Sequence, residues 1–190
     1  MSDDIRIYVA DLSAYNGGRL HGVWINALDE VDDIQNQVND MLKNSPEDDS
    51  EEWSIQDYEG FGGYGLSEYE GFESVHEIAC FIDENPEIAG ELLNHFGGDL
   101  DDAKKAIEEN YNGCHTSVAD YAQELTEDTS EIPDHLVFYI DYEKMGRDME
   151  LSGDIYTIET AYDEVHIFWS HELQQYGFIV VGYRSDLYHM

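Results

Sequence analysis

Residues 5–25 read IRIYVADLSAYNGGRLHGVWI, and this stretch decides the fold class. Ile5, Ile7 and Val9 alternate with Arg6 and Tyr8, the period-two pattern of a strand with one face turned inward. Asn16-Gly17-Gly18 supplies the positive φ that a hairpin turn needs, and Leu20 to Ile25 returns as a second strand. Working outward, Val31, Ile34, Val38, Met41 and Leu42 fall at helical spacing, with Asp32, Asp33, Asn36 and Asp40 on the other face. Ser45-Pro46 ends that helix, and Trp53 to Tyr58 makes a third strand. Sheet and helix in one short segment predict an α+β unit whose apolar positions form a core.

The glycine-rich run Gly60-Phe61-Gly62-Gly63-Tyr64-Gly65 follows. A phosphate-binding loop would continue into Lys-Ser/Thr, and this one continues into Glu68, Glu70 and Glu73, so it reads as a linker or tight loop. The middle of the chain is predicted helical. Ser74-x-x-Glu77 has the pattern of a capping box, Asn85-Pro86 opens another helix, and Gly97-Gly98 stops it. Asp99 to Tyr111 makes a third. Ser117-x-x-Asp120 then starts a helix through Val118, Tyr121, Ala122 and Leu125. Pro133 is expected to open a longer one reaching about Leu151. Two strands close the pattern, Ile155 to Ile158 and Val165 to Trp169, around a turn near Ala161 to Glu164. The segments are 1–60 (N-terminal α+β), 61–112 (central helical) and 113–190 (C-terminal α+β), with a tail from about residue 170 that has no assignment.

Charge is the dominant feature of the composition. The 190 residues hold 44 Asp and Glu against 8 Lys and Arg, a formal net charge of −36. Aromatic residues make up 13% and apolar residues 42%, enough for packed cores, so the chain reads as folded rather than disordered. The acids are spread evenly, 22 in residues 1–90 and 22 in 91–190, so this is not an acidic tail. Such self-repulsion opposes a compact state, which implies a reason for it other than stability. Nucleic acid and anionic membrane surfaces are excluded as partners, and a basic groove fits. No run approaches the ~18 apolar residues of a membrane span. The first residues lack the basic and apolar regions of a signal peptide, so the cytoplasm is the expected compartment.

No catalytic constellation rises above this background. There is no His-Glu-x-x-His, no Cys-x-x-Cys and no calcium loop, so neither a metal nor a cofactor is expected. His166 and His171 are a poor ligand pair. Carboxylates are everywhere, which makes any acid/base pair unreadable, because catalysis needs two groups in different environments. Cys114 and His115 are merely adjacent, and a reactive thiolate needs an electropositive setting that this chain does not offer. Cys80 and Cys114 alone make no disulfide framework.

The run Ile7-Tyr8-Val9-Ala10-Asp11-Leu12, then Ala14-Tyr15-Asn16, Leu20-His21-Gly22 and Trp24-Ile25, resembles the ArdA antirestriction proteins of plasmids and conjugative transposons. The resemblance continues at Asp57-Tyr58-Glu59-Gly60-Phe61 and Leu66-Ser67-Glu68-Tyr69-Glu70. It is strongest in Tyr139-Ile140-Asp141-Tyr142-Glu143 and Gly146-Arg147-Asp148-Met149-Glu150-Leu151-Ser152-Gly153. It covers about residues 5–169, and Ser170–Met190 departs from it. It implies an elongated, curved chain of three small domains that dimerises through the C-terminal one. It also implies a non-enzymatic inhibitor that mimics bent DNA and occupies the DNA-binding groove of type I restriction–modification enzymes. Duplex DNA carries about two charges per base pair, so two copies of −36 would match roughly 36 base pairs.

On that reading the candidate phosphate mimics are Asp29, Asp32, Asp33, Asp40, Asp48, Asp49, Glu51, Glu52, Glu68, Glu70, Glu73, Asp83, Glu84, Asp101, Asp102, Glu108 and Glu109. The contiguous apolar run Leu136, Val137, Phe138, Tyr139 and Ile140 cannot all face one small core and is the candidate dimer interface. Two other classes stay open. A halophilic protein would unfold in dilute buffer, and an acidic adapter would bind free basic proteins rather than an assembled DNA-binding enzyme.

Overall fold

The computed structural model describes residues 4–48 and 50–170, an α+β protein with two separate three-stranded antiparallel sheets. The chain folds as two compact units, the first ending at Ala103 and the second beginning at Lys104.

In the first unit β1 (Arg6–Asp11) is the central strand, flanked by β2 (Gly22–Asn26) and β3 (Trp53–Glu59). The connection from β1 to β2 is more than the simple turn expected of Asn16-Gly17-Gly18. It contains a short helix, α1 (Leu12–Asn16), because the Asp11 carboxylate caps it by accepting from the backbone N–H of Ser13 at 2.9 Å and Ala14 at 3.3 Å. The glycines come after that helix, with Gly18 at φ 76°. The amphipathic helix forms as predicted. α2 (Val31–Lys43) buries Ile34, Val38 and Met41, and Ile7, Val9 and Ile25 of the sheet are buried with them.

The central helices belong to this same unit. α3 (Phe72–Glu84) stacks Phe72 on Trp53 of β3 with ring centroids 4.2 Å apart. The glycine-rich loop lies directly on α4 (Ala89–His95): a Cβ at Gly90 would collide with the Gly62 carbonyl. The first unit therefore takes in residues 1–60 and most of 61–112. The Ser74-x-x-Glu77 pattern does not open α3, which starts at Phe72 with no side-chain cap. Ser74 instead lies inside the helix and donates its hydroxyl to the Glu70 carboxylate at 2.6 Å. Gly97 and Gly98 end the helical run with positive φ, as predicted.

α5 (Leu100–Lys105) continues as a π-helical turn, Ala106–Asn110, and then gives way to β4 (Tyr111–His115). The spacing predicts a helix as far as Tyr111, and the structure starts a strand there instead. Its period-two signal is broken by Gly113 at φ 95° and by a register shift between Tyr111 and Cys114. With β5 (Ile155–Ala161) and β6 (Glu164–Trp169) it forms the second sheet, in the order β4-β6-β5. Central β6 is buried on both faces. Val165 and Ile167 pack with Tyr121 of α6 (Val118–Thr129), while Phe168 stacks on Tyr156 at 5.0 Å and meets Tyr111 at 5.1 Å.

The long helix expected from Pro133 to Leu151 is divided. Pro133 opens one turn, Val137–Tyr139 is a single 3₁₀ turn, and Ile140 is extended. A fresh helix, α7 (Tyr142–Ser152), starts where Asp141 accepts from the Lys144 N–H at 2.9 Å. Five consecutive apolar residues give no stripe for a helix to bury, and Asp141 offers the backbone a cap instead.

Candidate functional site

The acidic surface is built by helices whose inner stripes are fixed by the core. Once Ile34, Val38 and Met41 turn α2 inward, Asp32, Asp33 and Asp40 are left exposed. Asp32 and Asp33 sit in the first turn, where the helix dipole favours them. Asp40 is paired with Lys43 at 3.3 Å, an exposed contact worth little. Asp29, just before the helix, is half-buried and accepts from Gln37 at 3.1 Å.

The remaining candidates follow the chain through the same unit and just beyond it. Asp48, Glu51 and Glu52 are exposed between α2 and β3, and Asp49 lies outside the described residues. Glu68 and Glu73 are exposed, whereas Glu70 is half-buried and holds Ser74. Asp83 and Glu84 occupy the last turn of α3, which has no basic residue. Carboxylates there oppose the helix dipole, so helix stability does not account for them. Asp101 and Asp102 are exposed in the first turn of α5, and Glu108 and Glu109 on the π-helical turn.

Every described carboxylate is exposed or half-buried except Asp11. Burial alone would raise the Asp11 carboxyl, but hydrogen bonds from the Ser45 hydroxyl and the N–H groups of Ala14 and Ser13 outweigh it and hold it below 3.8. Asp11 is thus a structural cap inside the fold, distinct from the surface acids.

The candidates stop at Glu109, yet the acidic surface does not. Asp120, Glu124 and Glu127 project from one face of α6 at spacings of four and three, all exposed. The helical spacing that singled out α2 would have found them. Asp120 doubles as the capping-box partner of Ser117: hydrogen bonds from the Thr116 and Ser117 hydroxyls hold its carboxyl below the usual range, and its N–H donates to Ser117 at 3.1 Å. With 8 cationic side chains against 44 acidic ones, internal pairing can neutralise only a small part of this surface.

A buried histidine on the second sheet has structural partners. Thr160 gives its single hydroxyl proton to Glu164 at 3.2 Å, so its oxygen accepts from His166 Nε2 at 3.1 Å. Nδ1 of the same ring then accepts from the Tyr111 hydroxyl at 2.8 Å. This chain ties β4, β5 and β6 together around a histidine that is 3% exposed. Burial pushes the Tyr121 phenol up, and that of Tyr156 up to about 12, which keeps both neutral. His171 lies outside the described residues. Among the described residues no three His, Cys, Asp or Glu side chains converge as metal ligands, and no helix is long and apolar enough to cross a membrane.

The apolar run is on the outside of the second unit. Leu136 is 44% exposed, Val137 37%, Phe138 92% and Tyr139 84%, with Ile140 half-buried. Nearby in the chain, an open furrow of about 500 Å³ follows α7, lined by Asp141, Asp148 and Asp154 together with Lys144 and two methionines.

Compared with known proteins, residues 7–164 match the family model of the antirestriction protein ArdA. No curated protein matches the chain.

Proposed function

The chain belongs to the ArdA family of antirestriction proteins, and from that premise we propose that it works as a DNA mimic. Its carboxylates occupy the DNA-binding groove of a type I restriction–modification enzyme and exclude the duplex. The observation that carries this reading is the placement of the acids. They cover the outer faces of helices in both units, including helix ends where they oppose the dipole, while among the described carboxylates only Asp11 is buried. A basic groove that accepts about two phosphate charges per base pair is offered carboxylates in their place.

The active form is a homodimer joined through Leu136 to Ile140, whose exposure leaves apolar surface for a second copy. The protein acts in the cytoplasm, where the enzyme meets incoming DNA. It needs no catalytic residue, because inhibition follows from occupancy alone.

The test is a cleavage and methylation assay with purified type I enzymes of several subclasses, with and without the protein. Cleavage is expected to fall as the protein is added and to recover as duplex is raised, the signature of competition. Inhibition that excess duplex cannot relieve overturns the mimic.

A further inference from the structure

The outer face of the first sheet carries a cation platform. Side chains alternate along β1, so Arg6 and Tyr8 lie opposite the buried Ile5, Ile7 and Val9. Trp24 stands directly across from Tyr8 in register, with ring centroids 5.4 Å apart. Gly22 is required beside them, because a Cβ there would come within 2.7 Å of the Tyr8 ring. Trp24 is 36% exposed, and the Arg6 guanidinium lies 4.7 Å from its ring centre. The same guanidinium is held by Glu59, through Nε at 2.7 Å and NH2 at 2.6 Å. Asp57, paired with Tyr8 across β3, is exposed alongside.

The geometry points to Trp24, Tyr8 and Glu59 as a seat for an arginine side chain of the target enzyme's DNA-binding groove, a seat that Arg6 fills in the unbound protein. This rests on the mimic reading above. Charge complementarity selects the occupant. An indole face attracts a cation, and a planar guanidinium can also stack on it while its fork meets a carboxylate. Arg6 shows that the site accepts this group, with the indole ring near it and a single Glu59 oxygen, Oε2, meeting both Nε and NH2. Arginines that line a DNA-binding groove normally meet phosphates, and here they meet Glu59 and Asp57 with an aromatic plane beside them. On binding, the incoming guanidinium takes the place of Arg6.

This exchange gives two substitutions of opposite sign. Trp24→Leu removes the plane without changing charge and should weaken binding about three- to thirty-fold. Arg6→Gln removes the internal occupant and should tighten it. Because Arg6→Gln also makes the chain more negative, Arg19→Gln is the control: Arg19 pairs with Glu47 at 3.2 Å, away from Trp24. Arg6→Gln is expected to bind about three- to tenfold tighter than Arg19→Gln.

The experiment is displacement of a labelled duplex from the DNA-binding core of a type I enzyme by the full chain and each variant, with circular dichroism as the folding control. If the unaltered chain displaces no duplex, the mimic reading fails and this inference with it. If it displaces duplex, Trp24→Leu does so equally well and the two arginine variants coincide, the platform is overturned while mimicry stands. Should Trp24→Leu not fold, the comparison of Arg6→Gln with Arg19→Gln decides alone.

Discussion

Both units set helices against a three-stranded antiparallel sheet, yet they place their apolar residues differently. The first buries an aliphatic core, with Ile7, Val9, Ile25, Ile34, Val38, Val75, Leu92 and Leu93 all fully buried, and leaves single side chains such as Leu20, Trp24 and Tyr69 exposed. The second packs β6 from both faces, with Val165 and Ile167 against Tyr121 on one side and Phe168 with Tyr111 and Tyr156 on the other. It then leaves Leu136 to Tyr139 exposed. The first unit exposes its apolar side chains singly along the sequence, whereas the second exposes four consecutive ones, Leu136 to Tyr139.

The largest effect expected is on the closed core. Ile7→Ala or Leu92→Ala should cost about 2–5 kcal/mol, read as a shift in the denaturant midpoint, because each leaves a cavity that the sheet and helices cannot fill. A smaller cost would mean that the first unit is loosely packed and that the contrast between the units is wrong.

Next comes the buried cap. Asp11→Ala removes three acceptor contacts inside the first unit and should cost about 2–3 kcal/mol. Its folded pKa is depressed below 3.8, so its contribution is complete above that value and disappears as pH falls through the lowered one. The stability gap between the unaltered chain and Asp11→Ala should therefore narrow on acidification below about pH 4. A gap that stays constant to lower pH would show that the carboxylate charge is not what stabilises.

Phe138→Asp sharpens the other half of the comparison. A side chain 92% exposed has little to lose on folding, so stability should change by less than about 0.5 kcal/mol. Sedimentation should nevertheless shift from dimer to monomer. A persistent dimer places the interface elsewhere.

The smallest effects belong to single surface acids. Asp32→Asn, Glu51→Gln and Asp101→Asn should each change inhibition by no more than about 1 kcal/mol, the worth of an exposed ion pair. Five or more on one face should weaken it progressively, since separated small terms add. One isolated change that abolishes inhibition in a folded protein would falsify distributed recognition.

The sequence by itself determined the elements whose pattern is local and strong. β1 was legible because alternation needs only five residues, and α2 because one apolar stripe excludes every register but one. The net charge followed from composition, and with it the nature of the surface, since so many carboxylates can only be solvated. Where a carboxylate serves as a cap was half legible: Ser117 with Asp120 showed it, Asp11 did not. Asp11 is buried because Ser45, 34 residues away, closes over it. β4 was hidden because its partner β6 lies about fifty residues downstream and supplies the pairing that Gly113 obscures. The break after Pro133 was hidden too, for five apolar residues read equally well as a helix or as surface held for a partner. Tertiary structure alone decided that the glycine-rich loop lies on α4 and that Arg6, Trp24 and Glu59 meet. Those contacts join residues distant in the chain, and no local pattern encodes which of many similar side chains will be brought together.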